Sequence, residues 1–221
     1  MKKHLLLLAL AFGLAGPAAA VVVTFDNEFS GGTDCATPVT GCSTLTATSI
    51  AGGVHFTFAG KMTPGEFITE LSGNFLGPVA PTVQNIAGNT ETFVSFAFAK
   101  DSFKADGDGY FDWKLTLDNA PPGNRFNGTD TLSWDFMGLT LADYNSISVN
   151  GPEGKNGFLF ATHAQGLAQG GSGWFNGTVS EGGFINPVAA VPEPETYTLV
   201  LAGLGIVGFI SKRRKAKEAK K

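Results

Sequence analysis

Between about residue 21 and residue 180, apolar residues of this chain recur at every second position, in short runs separated by turn-forming residues. A period of two places one side-chain set on each face of an extended strand, whereas a helix needs a period near 3.6. "GVHFTFAG" sets Val54, Phe56 and Phe58 against His55 and Thr57, and "TFVSFAFAK" groups Val94, Phe96 and Phe98. "YFDWKLTLD" directs Phe111, Trp113, Leu115 and Leu117 inward, with Tyr110, Asp112, Lys114 and Thr116 outward. "TLSWDFMGL" aligns Leu132, Trp134 and Phe136, and "SISVN", "GFLFATHA" and "GWFNGTVS" supply further short strands. Gly52-Gly53, "DGDG", "APPGN", "VNGPEGKNG" and "QGGSG" mark the turns between them. "PGEFITELSG" is the only stretch that reads as a helical turn or two. The pattern predicts an all-β domain over residues 21–180, an antiparallel β-sandwich of jelly-roll-like topology. Residues 181–191 follow as a spacer.

Charge narrows the function. Residues 21–191 hold six basic side chains against sixteen acidic ones, a net of −10, while the whole chain carries −4 because its cations crowd into the two ends. A body this acidic lacks the basic face that nucleic acid demands, so no nucleic-acid partner is expected. It suits cation binding and solubility in a crowded surface layer. Cys35 and Cys42 are the only cysteines. In an exported protein they read as one short-loop disulfide, and no second ligand pair stands nearby to favour a metal.

Both ends are targeting segments. "MKKHLLLLALAFGLAGPAAA" begins with Lys2 and Lys3, continues as an apolar run and ends in small residues, with Ala18 and Ala20 placed for signal-peptidase cleavage after residue 20. At the other end, "VPEPE" precedes an apolar run from Tyr197 to Ile210 and then Lys212, Arg213, Arg214 and Lys215. Gly203, Gly205 and Gly208 match G-x-G-x-x-G by letter, but no βαβ unit fits in the residues that follow. Residues 197–210 make a helix of about 21 Å, short against a hydrocarbon core of about 30 Å. They are expected to cross the membrane once, with the basic cluster and residues 216–221 in the cytoplasm. The glycines then serve close helix approach.

The segment "VPEPETYTLVLAGLGIVGFISKRRK", residues 192–215 above all, resembles the sorting tail of PEP-CTERM proteins, exported proteins of Gram-negative bacteria that make exopolysaccharide. The motif is Pro192, Glu193 and Pro194, followed by the glycine-rich apolar helix and the terminal arginines. The same tail is also known as an ice-binding-protein C-terminal domain, a label that need not describe activity. The resemblance implies recognition by an exosortase, a membrane-embedded cysteine transpeptidase that cuts near Pro-Glu-Pro. Release or transfer to the cell surface or matrix would follow. Tyr197 stands where the family often has Trp. Two prolines keep such a segment extended and accessible.

No catalytic signature accompanies this address. Asp106, Asp108 and Asp112 in "KADGDGYFDW" are spaced for a calcium loop, yet the EF-hand pattern fails, and a hairpin turn uses the same residues. Calcium is the one cofactor under consideration. Asp26 and Glu28 fall two apart on a strand, as a glycosidase pair would, without the third acid of jelly-roll glycosidases. His55 and His163 lack a G-x-S-x-G or H-E-x-x-H context and are expected to pair across strands. Trp113 and Trp134 are expected in the core, and Trp174 is the exposed candidate for sugar stacking. The leading reading is a non-enzymatic surface or matrix protein associated with exopolysaccharide or biofilm. Its partners are the translocation machinery, signal peptidase, exosortase and the membrane. Two alternatives stand beside it, a calcium-dependent carbohydrate- or ice-binding module and a secreted glycoside hydrolase-like enzyme.

Overall fold

A computed structural model describes residues 20–31, 35, 41–105, 109–120, 122–150, 157–167 and 171–179. They form ten strands: β1 Ala20–Ser30, β2 Ser43–Ile50, β3 Gly53–Gly60, β4 Phe67–Gly73, β5 Thr82–Gly88, β6 Phe93–Lys104, β7 Tyr110–Leu117, β8 Thr131–Met137, β9 Phe160–Leu167 and β10 Gly171–Val179. Among the described residues the only helical pieces are three short 3-10 turns, and no helix is long and apolar enough to cross a membrane. The expected membrane segment, residues 197–210, lies outside the described residues.

All pairings are antiparallel, as expected, but two facing sheets give way to a single one, in the order β5-β8-β3-β2-β1-β10-β9-β4-β7-β6. The sheet curls into a half-barrel. Its two outer stretches meet through aromatic side chains. Phe96 of β6 packs on Trp134 and Phe136 of β8, at centroid distances of 5.2 and 5.3 Å, and Trp113 of β7 meets Trp134 edge-on. Aromatic contacts of this kind add to the area they bury and are non-polar, so the curl needs no ladder between its ends. The core holds Phe25, Phe56, Phe58, Phe126, Tyr144, Phe160 and Phe175 with Trp113 and Trp134, all essentially inaccessible.

Three expectations fail for identifiable reasons. Val94 is exposed and Phe93 packs on the core in its place, because a bulge between Phe93 and Ser95 shifts the face. "PGEFITELSG" is strand β4 instead of a helix. Its Phe67, Ile68, Thr69, Leu71 and Ser72 are all buried, and covering both faces erases the alternation. "SISVN" contributes only an isolated bridge from Val149 to Tyr110.

Candidate functional site

The ladders β1–β2, β2–β3 and β3–β8 are the regular part of the sheet, and the edge strand β5 joins β8 with one register break, between Gln84 and Ala87. β2 and β3 pair without a break from Ser43 opposite Gly60 to Ile50 opposite Gly53. Their outward positions form rows across four strands: Thr24, Thr44, Ala59 and Thr131; Val22, Thr46, Thr57 and Ser133; Ala20, Thr48, His55 and Asp135. The face is methyl and hydroxyl, with charge only at its margin. There His55 Nδ1 lies 2.6 Å from Asp135 Oδ1, Asn85 Nδ2 donates to Asp135 Oδ2, and Thr57 Oγ1 stands 3.4 Å from His55 Nε2. Burial alone would raise the Asp135 carboxyl. The Asn85 and His55 hydrogen bonds and the His55 charge outweigh it and hold the group below its ordinary value. His55 is thus paired across strands, as expected. The order Thr-His-Asp resembles a nucleophile chain, but Thr57 and Ser133 sit within the paired β3–β8 ladder on an open sheet face. Their backbone N–H groups are not gathered there into an oxyanion hole.

The other half, from the β1–β10 ladder to β6, is irregular, and three bulges converge in it. They fall between Glu28 and Ser30 on β1, between Gly171 and Ser172 on β10, and between Ile68 and Glu70 on β4. A bulge inserts one residue and re-aims its neighbours. Here the neighbours Ser30, Ser172 and Glu70 all rim one basin of about 370 Å³. Its floor is the Trp174 indole, 8 % exposed, stacked on the His163 ring with centroids 4.8 Å apart. Thr69 Oγ1 lies 2.9 Å from His163 Nδ1 and holds the ring in place. Beneath, Trp174 joins a small apolar cluster with Ala105, Phe111 and Ala161, against which Phe29, Phe103 and Phe158 pack. Trp174 is therefore largely buried, where the sequence suggested an exposed ring; the glycines beside it bring strands close and do not open a loop. Gly31, at φ +117, lies so near Ser172 and Gly173 that a Cβ would collide with their backbone. Lys104 and Lys114 stand at the mouth, and Lys114 Nζ is 3.5 Å from Glu70 Oε2. Lys104 makes no ion pair among the described residues.

In two other cavities a central charged group is engaged within the fold. In the groove of about 390 Å³ between residues 62–67 and 125–129, Arg125 lies 4.1 Å over the Phe67 ring and donates to the Asn119 carbonyl. Near Asn89, both oxygens of Asp130 accept hydrogen bonds, from the Asn89 amide and the Asn127 backbone.

The remaining expected site residues fall as follows. Cys35 and Cys42 form a buried disulfide with Cα atoms 5.8 Å apart, and Cys42 N–H donates to Phe25 O beside the first bulge of β1. Asp112, assigned outward by alternation, is fully buried. Its oxygens accept from the Phe75 and Asp101 backbone N–H groups and from Lys100 Nζ at 2.7 Å. Those three donors engage the carboxylate, while Asp106 and Asp108 lie outside the described residues. No cluster of three or more His, Cys, Asp or Glu fit for a metal ion occurs among the described residues. Asp26 and Glu28 are both half-buried, and a bulge between Phe25 and Asn27 interrupts the period that was to align them. Ala20 is the exposed first residue of β1 and Val21 begins the core, so cleavage after residue 20 would leave the apolar strand intact. Ala18, Pro192, Glu193, Pro194, Lys212, Arg213, Arg214 and Lys215 lie outside the described residues.

Residues 190–215 match the PEP-CTERM protein-sorting motif. The match agrees with the tail read from the sequence. It supports an exported, cell-envelope-sorted protein with an exosortase as its processing partner. No curated protein and no solved structure matches the chain.

Proposed function

We propose that this chain is a non-enzymatic protein of the cell surface or extracellular matrix of a Gram-negative bacterium. Its tail delivers it through the membrane-anchored, exosortase-cut stage, and its β-body holds it to exopolysaccharide. The observation that carries the reading is the sorting tail joined to a body whose bulged half gathers an aromatic pair, hydroxyls and lysines around one basin. Flat π surface flanked by hydrogen-bonding groups is how a sugar ring is met, on its apolar face and at its hydroxyls. The proposal predicts that cell fractionation and intact mass will find a mature form beginning at Val21 and ending near Pro192–Pro194, retained in the polysaccharide layer. A mature form that keeps the terminal "SKRRKAKEAKK" in an exosortase-bearing host, or one washed freely from the polysaccharide, contradicts it.

One observation favours a second reading. The threonines of "TLTATS", too few alone for an ice-binding face, are extended by Thr24, Thr57, Thr131 and Ser133 into rows over four strands. Ice recrystallisation inhibition that disappears on Thr46→Lys would favour that reading over glycan retention.

A further inference from the structure

We propose that the basin beside Trp174 takes a carboxylated sugar, a uronic acid unit of an acidic polysaccharide, with Lys104 and Lys114 receiving the carboxylate. The inference rests on the glycan-retention reading above and specifies the glycan.

Cations are scarce in this body, and their placement is uneven. Lys100 is tied to Asp112 and to the Phe75 carbonyl, and Arg125 lies on Phe67 and bonds the Asn119 carbonyl. Lys104 and Lys114 instead stand at one basin, with Glu70 the only acid lining it among the described residues. A body of net −10 thus presents, among its described residues, a local excess of one positive charge at its aromatic basin. Lys114, 3.5 Å from Glu70, is within ion-pair range but longer than a direct charge-assisted hydrogen bond, so a ligand carboxylate can share it. The Glu70 carboxylate in turn accepts from a sugar hydroxyl, as do the rim serines. The His163 ring, backed by the stacked and largely buried Trp174 indole, offers the flat surface, held by Thr69 from one side and by the Phe111 cluster from below. A volume of about 370 Å³ lies at the small end of ligand sites, suited to a single sugar unit with its neighbours in solvent. Repulsion between the acidic body and a polyanion decays over about 8 Å at physiological salt, so the groups in contact decide.

The test uses full-length protein in mild detergent, titrated with oligogalacturonate, with its methyl ester, and with a polyglutamate peptide of matched charge. The acid form is expected to bind at least about tenfold more tightly than either of the others. Lys104→Gln with Lys114→Gln is expected to remove that preference, and either single variant to weaken it, whereas Lys61→Gln, the same charge change as one single variant, leaves it. Equal binding of acid and ester would overturn the uronate assignment while leaving glycan retention standing. Equal binding of polyglutamate would overturn the sugar. Failure of oligogalacturonate, its ester and the host's own exopolysaccharide to bind would defeat both readings together. The wild-type comparison of acid with ester needs no variant and decides the matter even where a variant fails to fold.

Discussion

The two halves of the sheet solve the same packing problem and leave opposite outer faces. In the regular half, the unbroken β1–β2, β2–β3 and β3–β8 ladders carry β-branched and hydroxyl side chains outward, and His55 meets Asp135 at the margin. In the bulged half, extra residues at β1, β4 and β10 break the register and bring Ser30, Glu70 and Ser172 around Trp174. The inner face carries aromatic and aliphatic side chains in both halves, so it does not account for the difference. Breaking the period of two is what lets strands distant in sequence aim unlike side chains at one point, and where Asn85 reaches Asp135 in the other half it too lies at a register break, between Gln84 and Ala87.

A buried carboxylate in each half allows the contrast to be measured. Asp112 satisfies two backbone N–H groups and Lys100 in the bulged half, so Asp112→Ala strands buried donors and is expected to cost about 3 kcal/mol in urea denaturation. A loss under about 1 kcal/mol would mean that this half does not depend on it. Replacing Cys35 and Cys42 by serine should cost about 2.5 kcal/mol for so short a loop, with the strand end nearest the Cys42–Phe25 contact losing amide protection first. In the regular half, Asp135→Ala is expected to cost only about 1 kcal/mol, because Asn85 and His55 can turn to water. Its pH signature is distinctive. A carboxyl held below its ordinary value of 3.8 contributes stability above that pH, and the contribution is lost as pH falls towards the lower folded value. Asp135→Asn should therefore flatten the acid limb below about pH 4 in thermal melts, and an unchanged limb would assign the acid sensitivity elsewhere. Thr46→Val, in the middle of the hydroxyl rows, should change stability by no more than about 0.5 kcal/mol and leave glycan binding unaltered.

The same contrast explains what could be read from the letters. Strands β2, β3, β7 and β8 keep the period of two, and their core residues Phe56, Phe58, Trp113 and Trp134 follow from alternation alone. The cysteine pair and the sorting tail were legible because their meaning is local. The basin was not legible, since Ser30, Glu70, Lys114 and Trp174 share no spacing and meet only through bulges. Asp112 misled because alternation assigns a face without knowing that Phe75 and Asp101 need an acceptor there. β4 was hidden because burial on both sides removes the signal that a half-exposed strand carries.

The most direct test of the division between the faces is a ¹⁵N-resolved titration of the protein with oligogalacturonate. The account predicts amide shifts at Ser30, Glu70, Lys114, His163 and Trp174, with Thr44 to Thr48 unmoved. Shifts centred on the threonine rows, with the basin silent, would contradict it.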